Sequence, residues 1–409
     1  MKKIIICGLL SLISFTAIAS TSTTSFTNTS KYVIVVDCGS SGTRIHLFSQ
    51  NSTSITEPVK ATKVTPGVSS FIDDNNANPA GIDKTGLDQA MDNLVTAARQ
   101  SWQKAGISIP VPNNTKMFIY ATAGMRLVRV NAANLAMQEI ATELTTQLNL
   151  ETANVSAKVI SGNEEALYDW LGINSANLIA DTNTTGILDL GGASVEIAFQ
   201  DTTKNPKDFI HFTFHDKPNY IATYSLLGEG ADQAIASING NFPTNRAICY
   251  PNGVWSNEAL GQQKTINYNF NTCENNANAF LKNNMIAKKL ELIHQLIDKQ
   301  QVRVTWSAIS GFKYTADFFN AQSPSELKNN ASAFNGINWK DFIAKDKAKH
   351  QTPTPRHFLQ SYDFNAAYNI ALLDHLLNTN NPQVHFTDGV DWTNGVAFYY
   401  FFNLGKQSH

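Results

Sequence analysis

Two stretches of the chain share one pattern, at residues 35–48 (VVDCGSSGTRIHLF) and residues 186–199 (GILDLGGASVEIAF). In each, an apolar strand ends in an Asp, passes through a turn of Gly with Ser or Ala, and leaves as an alternating strand. Ser40, Ser41, Gly42 and Thr43 carry so little side chain that their backbone N–H groups and hydroxyls can close on phosphate oxygens. Gly191, Gly192, Ala193 and Ser194 can do the same, so two facing turns could clamp one polyphosphate. Asp37 and Asp189, at their strand ends, could then hold a hydrated divalent cation on it, because a carboxylate beside phosphate needs a cation to be tolerable. Either stretch alone also reads as a β-hairpin whose Asp caps the turn. The repetition favours the paired phosphate site.

Alternation sorts the flanking residues. Val195, Ile197 and Phe199 share one strand face, which turns Ser194 and Glu196 to the other, where both could touch a water molecule. Arg44, His46 and Phe48 alternate in the same way against Ile45 and Leu47, and His46 reads equally as part of a solvated face. Residues 120–126 (YATAGMR) end a strand in small residues around Thr122 and deliver Arg126, a suitable phosphate or loop clamp. Residues 160–167 (ISGNEEAL) end a strand and open a helix whose first turn holds Glu164 and Glu165. Acidic residues are common there. If that turn borders the cleft, one of the two could take a proton from attacking water.

The elements that must position these groups alternate. Helical patterns at residues 87–102 and 132–148 separate strands at residues 117–121 and 157–161, and the second hairpin repeats the plan of the first. The expected class is α/β with two lobes of similar design. Residues 241–284 are rich in Asn, Pro and aromatics without a clear period and read as an inserted loop region; residues 285–298 restore a helix.

The 409 residues favour two domains, and 43% hydrophobic with 16% charged residues describes a globular chain. A net charge of −2 leaves no footprint for nucleic acid, so an anionic ligand must be held locally. Lys2 and Lys3 precede an apolar run over residues 4–18, and Ala17-Ile18-Ala19 has the form of a signal-peptidase site. Cleavage after Ala19 and a secreted or periplasmic product are expected; the run is shorter than the about 20 apolar residues that span a bilayer, and no later segment could serve as a transmembrane anchor. A Ser/Thr-rich tail over residues 20–30 follows. Cys249 and Cys273 flank the polar loop and could be joined in an oxidising compartment, or remain free thiols; Cys38 reads as a small packing residue.

Taken in order, these stretches resemble the conserved regions of the ecto-nucleoside triphosphate diphosphohydrolase (apyrase) family. The matches are residues 36–44, 120–127, 160–166 with Asp169, Trp170 and Asn174, 188–194, 310–315, 362–373 and 391–395, spanning nearly all of the mature chain. The resemblance implies a fold like that of actin, sugar kinases and heat-shock ATPases, with two ribonuclease-H-like lobes around the active site. It implies a first lobe of residues 31–160 with 386–409, to which the segment around Trp392 returns, and a second of residues 161–385. It implies Glu165 as catalytic base, Ser194 and Glu196 as holders of the nucleophilic water, and Asp37 and Asp189 organising Ca or Mg through water. Ser40, Ser41, Gly42, Thr43 and Gly192 match phosphate-loop positions, and Thr122 and Arg126 match the second region. The expected reaction is direct attack of water on the terminal phosphorus of a nucleoside tri- or diphosphate, without a phosphoenzyme.

Three positions depart from the family pattern. Gln is usual where Glu196 stands, an aromatic where Lys313 stands, and in the animal enzymes a Cys where Asp363 stands. Tyr314 and Tyr368 are aromatic candidates for the base, or ordinary core residues. Two other readings remain: an exopolyphosphatase or guanosine pentaphosphatase of the same fold, and a non-catalytic nucleotide-gated binding protein. A monomer is the default.

Overall fold

The computed structural model describes residues 32–50, 54–73, 81–107, 111–203, 210–241, 249–251, 268–282, 284–300, 303–349, 353–377, 383–388 and 390–406. The expected leader and Ser/Thr-rich tail lie outside them, as do residues 242–248, 252–267 and 283 of the expected insertion.

Val33 to Val36 are β-branched and lie between sheet and helices, which makes them a strand buried on both faces. The first sheet is built on that strand, β1 (Tyr32–Gly39). It pairs antiparallel with β2 (Gly42–Gln50) and parallel with β4 (Lys116–Ala121), which pairs with β5 (Val155–Val159). The short β3 (Thr62–Val64) lies on the other side of β2. The second sheet repeats the plan: β6 (Gly186–Leu190) pairs antiparallel with β7 (Ser194–Gln200) and parallel with β10 (Trp306–Ser310). Strands β8 (Ile210–Phe214) and β9 (Lys217–Leu227) extend it on one side and β11 (Val384–Phe386) on the other.

Strand alternation divides the interior into three cores. Ile34, Val36 and Cys38 face α1 (Lys84–Lys104) and α2 (Val130–Leu148). Leu188, Val195, Ile197 and Phe199 face the helices of the second half. Val33, Val35 and Phe48 of the first sheet share the third core with Ile187 and Ala198 of the second. Between them lie α3 (Gly162–Ala180) and α7 (Trp392–Phe401). Helix α7 packs along α3 and lies on β1 and β2. Trp392 stacks on Tyr120, centroids 6.4 Å apart, and Tyr120 on Tyr168 at 6.2 Å, an aromatic pile that ties β4 of the first sheet to α3 and α7.

Part of the expected loop region is helical. Helices α4 (Ala231–Asn241) and α5 (Phe270–Leu281) bracket it, and Asn269 caps α5 by accepting from Thr272 N at 2.9 Å. Asn-rich composition masks the buried stripe Phe270, Cys273, Ala277 and Leu281, whose spacing is helical. A disulfide joins Cys273 to Cys249, with Cα atoms 5.3 Å apart.

The first turn of α6 (Tyr362–Leu377) buries Asp363 completely, and neither carboxyl oxygen meets a donor among the described residues. Burial pushes this carboxyl well above the ordinary 3.8. The folded state therefore holds a proton that the unfolded chain releases above about pH 4, so Asp363 costs stability increasingly as pH rises. Asp363→Asn removes that titration: the urea midpoint of the variant should fall less than that of the parent between pH 5 and 8. Parallel profiles would refute the assignment.

Candidate active site

The two Gly/Ser turns face each other. A Cβ placed on Gly192 would lie 2.8 Å from Ser40 Oγ and 2.4 Å from an Asp232 carboxyl oxygen, so only glycine permits this approach. The N-terminal amides of α4 tie the second turn down: Ala231 N donates to Gly191 O and Asp232 N to Gly192 O, both at 2.9 Å. Gly191 N donates to Ser194 O at 3.0 Å, so the amides the turn can offer an anion are those of Gly192 and Ala193. Thr43 is buried in β2 and its hydroxyl meets no protein partner among the described residues. Thr122 is buried where β4 ends, and its carbonyl accepts from Arg126 N at 3.3 Å.

Helix α3 opens with a capping box. Ser161 Oγ accepts from Glu164 N at 3.2 Å and Glu164 Oε2 accepts from Ser161 N at 2.9 Å. Glu164 also meets Lys158 at 2.5 Å, so it caps the helix. Glu165, one residue on, is the carboxylate delivered to the cleft, 6% exposed.

Arg126 joins the groups that the sequence singled out. Its Nη1 donates to Glu165 Oε2 at 2.8 Å, and its Nη2 to Ser194 Oγ and Glu196 Oε1, each at 3.1 Å. Ser194 donates to the same Glu196 oxygen at 2.6 Å, and Ser225 of β9 donates to it at 2.7 Å. Ser225 was invisible to sequence reading, since only the β7/β9 register sets it opposite Glu196.

The two hairpins differ in charge. Asp37 lies opposite Arg44 and is bonded to it at 2.9 Å. Asp189 lies opposite Glu196, a like-charged pair that is unfavourable by itself. Burial, and then the Glu196 charge, push Asp189 up to about 7 and hold Glu165 well above the ordinary range, against the pull of Arg126. Burial also raises Glu196 and Asp37. Asp169 is fully buried on α3 beside Asp189, and burial followed by the Asp189 charge raises it strongly. Five buried carboxyls thus converge with two arginines, Arg44 on Asp37 and Arg126 on Glu165 and Glu196, an arrangement short of positive charge.

Among the described residues no group of three or more His, Cys, Asp or Glu is set to grip an ion directly. Asp37 and Asp189 are each 6% exposed, and Asp189 Oδ1 has no hydrogen-bond partner among the described residues. Two oxygens on facing strand ends suit a hydrated cation whose remaining positions are filled by water and phosphate.

The surroundings of three side chains that the sequence left open are now defined. Tyr368 is fully buried, donates to Glu229 O at 2.6 Å and stacks on Phe364, so it belongs to the core and has no face for a base. His46 is buried rather than solvated: its Nδ1 lies 2.9 Å from Glu57 Oε1 because α7 covers that face of β2. Lys313 pairs with Asp317 one helical turn away. Tyr314, its neighbour, is 56% exposed and feels Arg44, Asp391 and Asp189, which places it at the cleft. Ser310 ends β10 with φ 52°, strained backbone beside Asp189.

Two sheets of one plan, with facing small-residue turns and a buried acid–Arg network between them, define the actin-like ATPase fold carrying a hydrolase site. The chain belongs to the GDA1/CD39 (nucleoside phosphatase) family, whose pattern matches residues 23–401. It is 27% identical to "Probable apyrase 3" of Arabidopsis thaliana over 84% of this chain and 75% of that one. It is 33% identical to "Golgi apyrase" of Schizosaccharomyces pombe over 50% of this chain and 39% of that protein. With the mouse ectonucleoside triphosphate diphosphohydrolase 1 the identity is 27%, over 56% and 46% of the two chains. This chain thus spans under half the length of the latter two. Among solved structures, a nucleoside triphosphate hydrolase of Neospora caninum superposes with TM-score 0.60 at 12% identity, covering 91% and 93%. An Aquifex aeolicus Ppx/GppA protein does so with TM-score 0.53 at 13% identity, covering 91% and 98%. Both show the shared fold.

Proposed function

We propose that the chain is an exported nucleoside tri- and diphosphate hydrolase that transfers the terminal phosphoryl group directly to water. The observation that carries this reading is the convergence of Glu165, Ser194, Glu196 and Arg126 between two facing phosphate turns. In this reading residues 31–160 with 386–409 form one lobe, residues 161–385 the other, and the nucleotide lies between them.

Ser194 and Glu196 hold the attacking water, and Glu165 accepts its proton as the oxygen bonds to phosphorus and the bridging P–O bond breaks. The amides and hydroxyls of Ser40, Ser41, Gly42, Thr43, Gly192 and Ala193 hold the phosphate oxygens, with Thr122, Arg44 and Arg126, and Gly191 gives the turn room for the approach. Asp37 and Asp189 would hold Ca or Mg through water; the cation supplies charge neutralisation on the polyphosphate. A cation held there would also relieve the crowding of Asp189 against Glu196. Tyr314 is the available face for the base.

The test is phosphate release from ATP, ADP and inorganic polyphosphate with Ca, Mg or EDTA. The proposal expects release from both nucleotides, abolished by EDTA. Release from polyphosphate alone would replace it with an exopolyphosphatase. Binding without release would leave a nucleotide-gated binding protein. No helix among the described residues is long and apolar enough to cross a membrane.

A further inference from the structure

A cation that none of the motifs contains lies over the first phosphate turn. Lys63 is in β3, directly opposite Arg44 of β2. Its stem crosses Gly42 so closely that a Cβ there would be 2.5 Å from Lys63 Cε. The ammonium, one bond further, lies 5.3 Å from the centroid of Phe358, which the second half of the chain contributes. Lys63 has no carboxylate within ion-pair distance among the described residues; the nearby Asp37 is bonded to Arg44 instead.

Two cations directly opposite on paired strands repel. Solvent reaches the Lys63 side chain, yet packing around the ammonium, and then the Arg44 charge, pull it down to about 8. Asp37 opposes that shift only in part. An aromatic face gives such a cation a weak partner when no anion is present. An anion on the Ser40–Thr43 side of Gly42 would satisfy both Lys63 and Arg44.

We infer that Lys63 is a further substrate-binding residue, which leaves the Phe358 ring to contact the phosphate oxygens held by the first turn. The inference rests on the proposed nucleotide hydrolysis and adds a binding contact to it. Phe358 parks the ammonium between turnovers. Because that ring comes from the second half of the chain, the phosphate contact and the contact across the cleft compete for one side chain.

The experiment compares the full chain with Lys63→Gln and Lys63→Arg. It measures kcat and KM for ATP with Mg, and direct binding of a non-hydrolysable ATP analogue and of adenosine. A charge-assisted hydrogen bond lost on binding predicts a rise of about tenfold or more in KM and in the analogue Kd. The kcat should change less than about threefold, because the contact is made equally in ground and transition states. Lys63→Arg should recover most of the loss, and adenosine binding should be the same in all three proteins. Analogue affinity within about twofold of the parent in Lys63→Gln overturns the inference, as does an equal loss for adenosine, which would show a structural effect. If the parent binds analogue but releases no phosphate, the hydrolase reading fails while the analogue data still judge Lys63. If the parent binds no analogue, both fail.

Discussion

Glu165→Gln should lower kcat for ATP and ADP by about 10²- to 10⁴-fold, the range expected when a positioned general base is lost. Affinity for a non-hydrolysable analogue should stay within a few-fold. The amide keeps the volume of Glu165 and can still accept the bond from Arg126 Nη1 that the carboxylate accepts at 2.8 Å, so the fold and the Arg position survive. What disappears is the ability to take a proton. The pH profile supplies a second signature. Burial and the Glu196 charge hold the Glu165 carboxyl well above 4.5, and a base works only when ionised. The acid limb of kcat should therefore lie well above pH 4.5, with activity increasing as pH rises through it. The residual rate of the variant should lack that limb. A variant within tenfold of the parent would remove Glu165 from the mechanism.

Arg126→Ala should be the most destabilising change in the cleft, at about 3–5 kcal/mol, the cost of removing one partner from a buried charge network. Arg126 is the shared donor to Glu165, Ser194 and Glu196, and Glu196 is fully buried. Without it, three converging acids, Glu165, Glu196 and Asp189, face one another uncompensated. Arg126→Lys should recover only part of the loss, since one ammonium cannot reproduce a planar fork that meets two carboxylates and a hydroxyl. Urea unfolding of the three proteins at one pH decides it; equal midpoints for the parent and the Ala variant would show that the network contributes nothing. Phosphate release by the Ala variant should be lost even where it remains folded, because a donor facing the transferring group is gone.

Much of this site was legible in the order of residues because period-2 alternation is a local property. It set Ser194 and Glu196 on one face of β7, and the repeated Asp–turn–strand pattern announced two matching halves. The small-residue turns were legible for the same reason, since a backbone that must approach phosphate excludes side chains. The choice between Glu164 and Glu165 was not. Both fit a helix first turn, and although the capping box that occupies Glu164 is a local Ser161 to Glu164 match, only the packed structure brings Glu165 to Arg126.

The chain order by itself determined the strand–turn–strand units, the class of fold and the types of residue at the cleft, since hydrophobic period and side-chain bulk act within a few residues. The tertiary structure alone decided which distant groups meet. Register across β7 and β9 brought Ser225 to Glu196, and the pairing of β2 with β3 set Lys63 over Gly42. Folding of α6 into the second core removed Tyr368 from any ligand, and the cover of α7 turned His46 from a surface residue into a buried one. Burial and charge proximity are sums over the whole packed molecule, so no window of sequence contains them.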